Sequence, residues 1–274
     1  MVMNLVTAPG PPPGAAPPPL LAVAHGSRDA RHGATVRALV ARAAALRPGL
    51  RVETSFLDRP GGQATPWSGP PVAQMVERLA VRGHHTVVVV PLLLNRAFHA
   101  SSDIPAVLAE ATAHHPGLTI VQGPVLGPSP LLVAALERRL GQAGVDVGDP
   151  HTGVVLASVG STDPEANAVT AKVAREWRRT GWCAVVTAFA SAPGPTTAEA
   201  VRRLRADGVR RVAVAPYVLA PGLLPDRIRR GAREAGADAV ADVLGDAPEV
   251  ARLLLHRYDQ AAGSPGTAHP PLTA

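Results

Sequence analysis

The sequence repeats itself, and that repetition constrains the fold more than any other feature. "LLAVAHGSRD", from residue 20, sits against "VVLASVGSTD", from residue 154. "VVVVPLLL", from residue 87, sits against "VAVAPYVL", and "VLGPSPLLVAALERRL", from residue 125, against "VLGDAPEVARLLLHRY". Short apolar, β-rich runs alternate with Arg/Ala-rich stretches of helical period, the pattern of βαβ units that feed a parallel sheet. In the first half the spacing predicts strands near 20–24, 51–57, 86–91 and 118–122, with helices near 30–46, 70–82, 103–114 and 129–140. In the second half it predicts strands near 153–158, 183–189, 210–215 and 238–243, with helices near 164–180, 196–206, 224–235 and 247–259. The expectation is an α/β protein of two similar units, each a four-stranded, mainly parallel sheet flanked by helices.

The boundaries follow from where the period stops. Gly, Asp and Pro cluster between residues 142 and 153, so the halves should span 20–142 and 153–260. Residues 1–19, "MVMNLVTAPGPPPGAAPPP", are rich in proline and read as a disordered or polyproline II tail, and residues 261–274 read as a flexible one. "RPGGQATPWSGPP", at 59–71, reads as a long surface loop. The start of the chain lacks the basic residues and continuous apolar core of a secretory leader, and no run is long and apolar enough to span a bilayer. A cytoplasmic chain with no membrane partner is expected.

Composition narrows the chemistry. Cys183 is the only cysteine, which excludes an intrachain disulfide and a thiolate metal cluster. Lys172 is the only lysine, so all but one of the 27 basic residues are arginine, against 21 acids. One reading of that bias is a GC-rich genome that writes Arg for Lys; a second is recognition of polyanionic small molecules, because the planar guanidinium pairs bidentately with carboxylates. Nucleic acid is not expected as a partner, because the arginines are dispersed along helices and aromatic residues make up only 3% of the chain.

What the halves do not share is more informative than what they do. The first half has His25 in "AHGS" where the second has Val159 in "SVGS"; it has His99 in "PLLLNRAFHASSDIP" where the second has Leu223 and Leu224. Both histidines are absent together, as expected of a pair that acts as a unit. In open α/β sheets ligands bind outside the carboxyl ends of the strands. His25 follows the first predicted strand and His99 the third, so both can face one crevice, and Asp58, after the second, reaches the same edge. Two imidazoles and a carboxylate suit a borderline divalent ion such as Fe2+, Co2+ or Ni2+ and leave coordination positions open. The same groups can take protons near neutral pH. Each has a plainer reading too: a hydrogen-bonded structural histidine at a strand tip, or, for Asp58 before Arg-Pro-Gly-Gly, an ordinary turn residue.

Other histidines read as structural. His84 and His85 precede a strand at the opposite edge, and His114 and His115 end a helix before Pro-Gly. Arg31-His32-Gly33 matches the Arg-His-Gly signature of the histidine phosphatases, but "HGSRDA" separates it from the strand, so His32 belongs to the loop or the first helical turn.

"AVAHGSRD" together with "VVVVPLLLNRAFHASSDIPAVL" resembles the class II chelatases of the sirohydrochlorin type, in the long form with two fused halves. The resemblance covers about residues 20 to 260. It implies ATP-independent insertion of Fe2+ or Co2+ into sirohydrochlorin, on the way to sirohaem or cobalamin, with no tightly bound cofactor and the divalent metal as a substrate. The family's catalytic histidines match His25 and His99, which would hold the ion or receive the pyrrole protons. Its Phe-Leu-Glu motif matches Phe56-Leu57-Asp58, one methylene shorter. Where the family often has Gly before the second histidine, this chain has Phe98, with Arg96 close by. The macrocycle's acidic side chains would meet Arg28, Arg96 and the backbone N–H groups of Gly26 and Ser27 near a helix start. A monomer is expected, because the duplication supplies both walls of a cleft. Two other readings fit the same residues: a non-catalytic tetrapyrrole or metal carrier, and an interaction protein that kept the fold after losing activity.

Overall fold

The computed structural model describes residues 16–57, 69–95, 104–191 and 193–263. The first half runs β1 (Leu20–Ala24), α1 (Ala30–Leu46), β2 (Val52–Phe56), α2 (Val72–Val81), β3 (Thr86–Pro91), α3 (Ile104–Ala113), β4 (Thr119–Gln122) and α4 (Pro130–Gln142). The second repeats the order: β5 (Thr152–Ser158), α5 (Pro164–Arg178), β6 (Ala184–Phe189), α6 (Thr197–Ala206), β7 (Arg211–Tyr217), α7 (Leu223–Glu234), β8 (Ala239–Val240) and α8 (Pro248–Ala262). The sheets have orders β2-β1-β3-β4 and β6-β5-β7-β8, and every pairing is parallel.

Local sequence explains the elements. Parallel strands are covered on both faces, so they read as continuous apolar runs; Val87 to Val90 are all fully buried. Helix starts carry their caps: Asp29 accepts from the Arg31 N–H, Asp163 from the Glu165 N–H, and Thr196 forms a capping box with Glu199. In α1, Val36, Leu39, Val40 and Ala43 fall on one helical stripe and are buried.

Alternation along each strand divides the interior. Leu20, Ala22, Ala24, Val88 and Val90 point into a core shared with Val154, Leu156, Ala213 and Ala215 of the second sheet. The intervening Leu21, Val23, Val87 and Val89 face α2 and α3, while Val155, Ala157, Val212 and Val214 face α6 and α7.

The halves exchange their last helices. Helix α4 packs on β7 and α8, and α8 packs on α1, β3 and β4, so each half's final helix lies against the other half's sheet. Gly123 at the end of β4 shows how closely α8 approaches: a Cβ there would lie 3.2 Å from that of Ala261 and 3.3 Å from the Arg257 carbonyl oxygen. Charge and hydrogen bonds staple the exchange. Arg138 of α4 makes a bidentate pair with Glu249 of α8, a carboxylate only 6% exposed. The indole of Trp177 in α5 donates to Glu137 of α4 at 2.9 Å, and Tyr258 of α8 donates to the Pro18 carbonyl at 2.8 Å. The exchanged helices build one core between the sheets, beside a separate apolar layer on the outer face of each sheet. Two sequence-based boundaries change. The predicted strand at 238–243 shrinks to Ala239–Val240: Asp242 turns its side chain onto the next backbone N–H, at 2.8 Å from that of Val243, and so competes with the ladder. Helix α8 also runs to Ala262, past the predicted start of the tail. Among the described residues no helix is long and apolar enough to cross a membrane.

Candidate metal-insertion site

The order β2-β1-β3-β4 puts a topological switch point between β1 and β3, where the chain leaves neighbouring strands in opposite directions across the sheet and a crevice opens at the carboxyl edge. Val23 lies beside Pro91 in the register, and the Leu92 N–H donates to the Val23 carbonyl at 2.8 Å. The segments leaving β1 and β3 therefore start side by side, about one strand spacing, roughly 4.8 Å, apart.

His25 is the first residue beyond β1 and is half-buried. Its Nδ1 lies 3.4 Å from the Gly26 carbonyl oxygen, a long contact. With the proton on Nδ1 the lone pair is on Nε2, the tautomer that a carbonyl beside a metal-binding imidazole favours. Gly26 has φ +82°, a left-handed backbone that favours glycine, and its Cα faces the Leu57 carbonyl across the loop. Ser27 Oγ accepts from the Asp29 N–H at 3.1 Å, which turns the chain into the N-cap of α1. Arg28 is exposed and pairs with no acid among the described residues. Of the other predicted site residues, Asp58, Arg96 and His99 lie outside the described residues, although the strands that lead to them, β2 and β3, both flank β1.

The second half preserves this loop without its chemistry. Gly160 has φ +83°, Ser161 Oγ accepts from the Asp163 N–H at 3.1 Å, and Val159 stands where His25 does. Gly69 and Gly194 also correspond, each so close to its phenylalanine, Phe56 or Phe189, that a Cβ would fall within 3 Å of the ring. On the same alignment Ser191 corresponds to Asp58; its backbone N–H and its Oγ both donate to the Val159 carbonyl at 3.0 Å.

The loops of the two halves meet. A Cβ on Gly222, the N-cap of α7, would lie 3.9 Å from Ser27 Oγ. Arg31 bridges Asp29, at 2.6 Å, and Asp226 in the first turn of α7, at 2.5 Å. The hydrogen bond from Arg31 holds the Asp29 carboxyl below the usual carboxylate range. The start of α1 and the start of α7 thus face each other across the junction between the halves.

One residue with no role expected from sequence belongs to this neighbourhood. His32 sits in the first turn of α1 with its ring centroid 6.3 Å from that of Phe56, and its buried Nδ1 has no hydrogen-bond partner. Burial lowers its pKa, and the nearby His25 lowers it further. Its signal in the sequence is spacing alone, a histidine three residues beyond an N-cap aspartate. His114, by contrast, caps its own helix, with Nδ1 2.9 Å from the Glu110 carbonyl oxygen.

Comparison with known proteins agrees with the fold and the duplication. The CbiX family model matches twice, at residues 19–143 and 153–261. A sirohydrochlorin cobaltochelatase of Priestia megaterium is 30% identical over 212 residues, 76% of this chain; the match spans 66% of that relative's length. A sirohydrochlorin ferrochelatase of Bacillus subtilis (strain 168) is 27% identical over 245 residues, 85% of this chain and 90% of the relative. The solved structure of SirB from Bacillus subtilis with Fe3+ superposes with a TM-score of 0.76 at 27% identity, covering 90% of this chain and 96% of that one.

Proposed function

Because the chain belongs to the CbiX family, we propose that it inserts a divalent metal, Fe2+ or Co2+, into sirohydrochlorin, at a site on the carboxyl edge of the first sheet. The observation that carries this reading is the switch point: His25 follows β1 directly, beside the departing β3 segment that leads to His99, and the duplicate half has the same loop with Val159 in place of the imidazole.

Metallation exchanges two pyrrole protons for one ion, so the site must hold a metal loosely and take up protons. Neutral imidazoles do both. In this reading His25 and His99 ligate the incoming ion or accept the pyrrole protons, and Asp58 orients one of them and stabilises its charged form. The Ser191–Val159 contact of the duplicate supports the nearness that this role needs, because it sets the position aligned with Asp58 against the main chain of the position aligned with His25. The exposed Arg28, with Arg96 and the N–H groups of Gly26 and Ser27, would receive the macrocycle's carboxylates. The metal is a substrate, and the chemistry requires no nucleotide.

The test is an anaerobic metallation assay with sirohydrochlorin and limiting Co2+ or Fe2+, followed by the change in the tetrapyrrole spectrum. A rate well above the spontaneous reaction for at least one ion is expected. Tight stoichiometric binding with no acceleration would instead identify a carrier.

A further inference from the structure

The β3–α3 segment is held by three anchors before it reaches His99. The Leu92 N–H bonds to β1, and the Leu93 carbonyl accepts from the Leu126 N–H at 2.9 Å and the Gly127 N–H at 3.4 Å. The third anchor comes from the other half: Asn95 Nδ2 donates to Thr170 Oγ1 of α5 at 3.3 Å.

This contact is chemically out of place. Thr170 is 1% exposed, and Asn95 Oδ1 is buried with no hydrogen-bond partner, so a buried hydroxyl and a buried, unpaired amide oxygen are set against one long hydrogen bond. Aligning "VVVVP" with "VAVAP" sets Asn95 against Ala220, and aligning Asp29 with Asp163 sets Thr170 against Val36. Both counterparts are apolar and buried. The duplication thus sets an apolar Val36 in α1 and an apolar Ala220 beyond β7 against the polar pair that joins α5 to the segment leading to His99, although the apolar choice is the more stable one for a buried position.

We propose that Asn95 and Thr170 are a positioning pair, through which α5 of the second half fixes the point where the His99 segment departs from the sheet. The inference rests on the metallation reading above. It gives the second half a task beyond enclosing the cleft: the helix that follows its histidine-free strand grips the segment that leads to the other half's histidine. Neither residue need touch substrate. A hydrogen bond has direction and fixed length where an apolar contact has neither, and small misplacements of reacting groups are costly, on the order of 10²-fold for about 1 Å.

The decisive variant is the double substitution N95A/T170V, which copies the residues at the positions related by the duplication, Ala220 and Val36. It should melt at or above the temperature of the wild-type chain, while kcat for metallation falls roughly 10- to 100-fold and KM for the ion changes little. T170V alone should lose rate, and T170S, which keeps the hydroxyl, should recover most of it; these two carry the test should the double variant fail to fold. A double variant, or T170V, with wild-type kcat overturns the inference. H99A is assayed alongside. If H99A is slow while T170V is not, only the positioning pair is wrong. If H99A is as fast as wild type, the role given to His99 falls, and the pair's with it.

Discussion

Gly127→Ala should disturb both the shared core and the segment leaving β3, and the size of the disturbance follows from the geometry. A Cβ on Gly127 would lie 2.1 Å from the Leu94 carbonyl oxygen and 2.9 Å from both the Leu94 carbonyl carbon and Tyr217 Oη. Backbone conformation is not the obstacle, because Gly127 is not among the glycines with positive φ. Carbon–oxygen contacts below 3.0 Å are essentially not made by real Cβ atoms, so the Leu94 carbonyl must retreat by about 0.9 Å. That oxygen is main chain, hydrogen bonds anchor the residues on either side of it, and Tyr217, 2% exposed, backs the same spot. Overpacking of a site that cannot relax costs about 1 to 3 kcal/mol, and a backbone clash belongs at the upper end. Urea unfolding followed by far-UV circular dichroism should show the midpoint lowered by the equivalent of about 3 kcal/mol. The metallation rate under native conditions should fall as well, because the displaced carbonyl immediately precedes Asn95. Gly141→Ala is the control: nothing lies within 4 Å of the new Cβ, the residue is inside α4, and a stabilisation of roughly 0.5–1 kcal/mol is expected. Equal midpoints for Gly127→Ala and wild type would refute the reasoning, since they would mean that the segment yields freely.

Two further predictions concern charge. His32 is protonated less readily in the folded chain than in the unfolded one, because burial lowers its pKa from the ordinary value of about 6.5. The unfolded state therefore binds the extra proton first as pH falls below that value; folding stability should decline through that window, at no more than about 1.4 kcal/mol per pH unit, and level off below the folded pKa. In His32→Leu this decline, measured by urea unfolding between pH 7.5 and 5, should be shallower, and an unchanged slope would show that His32 does not cause it. Glu249 runs the other way: its pairing with Arg138 lowers the carboxyl pKa, so its stabilisation is present at neutral pH and lost as pH falls through the acid range. Glu249→Gln should cost roughly 1–3 kcal/mol at pH 7 and far less near pH 3, and a cost independent of pH would count against an ionic staple.

The sheets were legible because parallel strands buried on both faces leave short apolar runs, as in Val87 to Val90, between helices that announce themselves with Asp29, Asp163 and the Thr196–Glu199 cap. The duplication was visible in letters, and its joint loss of two histidines, with Val159 for His25 and Leu223 and Leu224 for His99, pointed to the carboxyl edge. The helix exchange was not legible. Helices α4 and α8 carry the same apolar stripe whichever sheet they cover, and only partners such as Arg138 and Glu249, 111 residues apart, decide between them. Nor was β8's brevity, which depends on where Asp242 turns its side chain. Asn95 and Thr170 are unremarkable in sequence, since a polar residue in a loop and a threonine in a helix draw notice only when found buried against each other. His32 sits in a triplet that resembles another chemistry, and its burial beside Phe56 depends on how α1 meets β2.

The central claim is that imidazoles beyond two adjacent strands act together on one ion. His25→Ala, His99→Ala and the double variant, compared in anaerobic Co2+ insertion into sirohydrochlorin, test it most directly. Cooperating groups give non-additive losses, so each single variant should lose about as much rate as the double one, roughly 10²-fold or more for the loss of a general base, with unfolding midpoints near wild type. Single variants that keep full rate, or losses that simply multiply in the double variant, would contradict it.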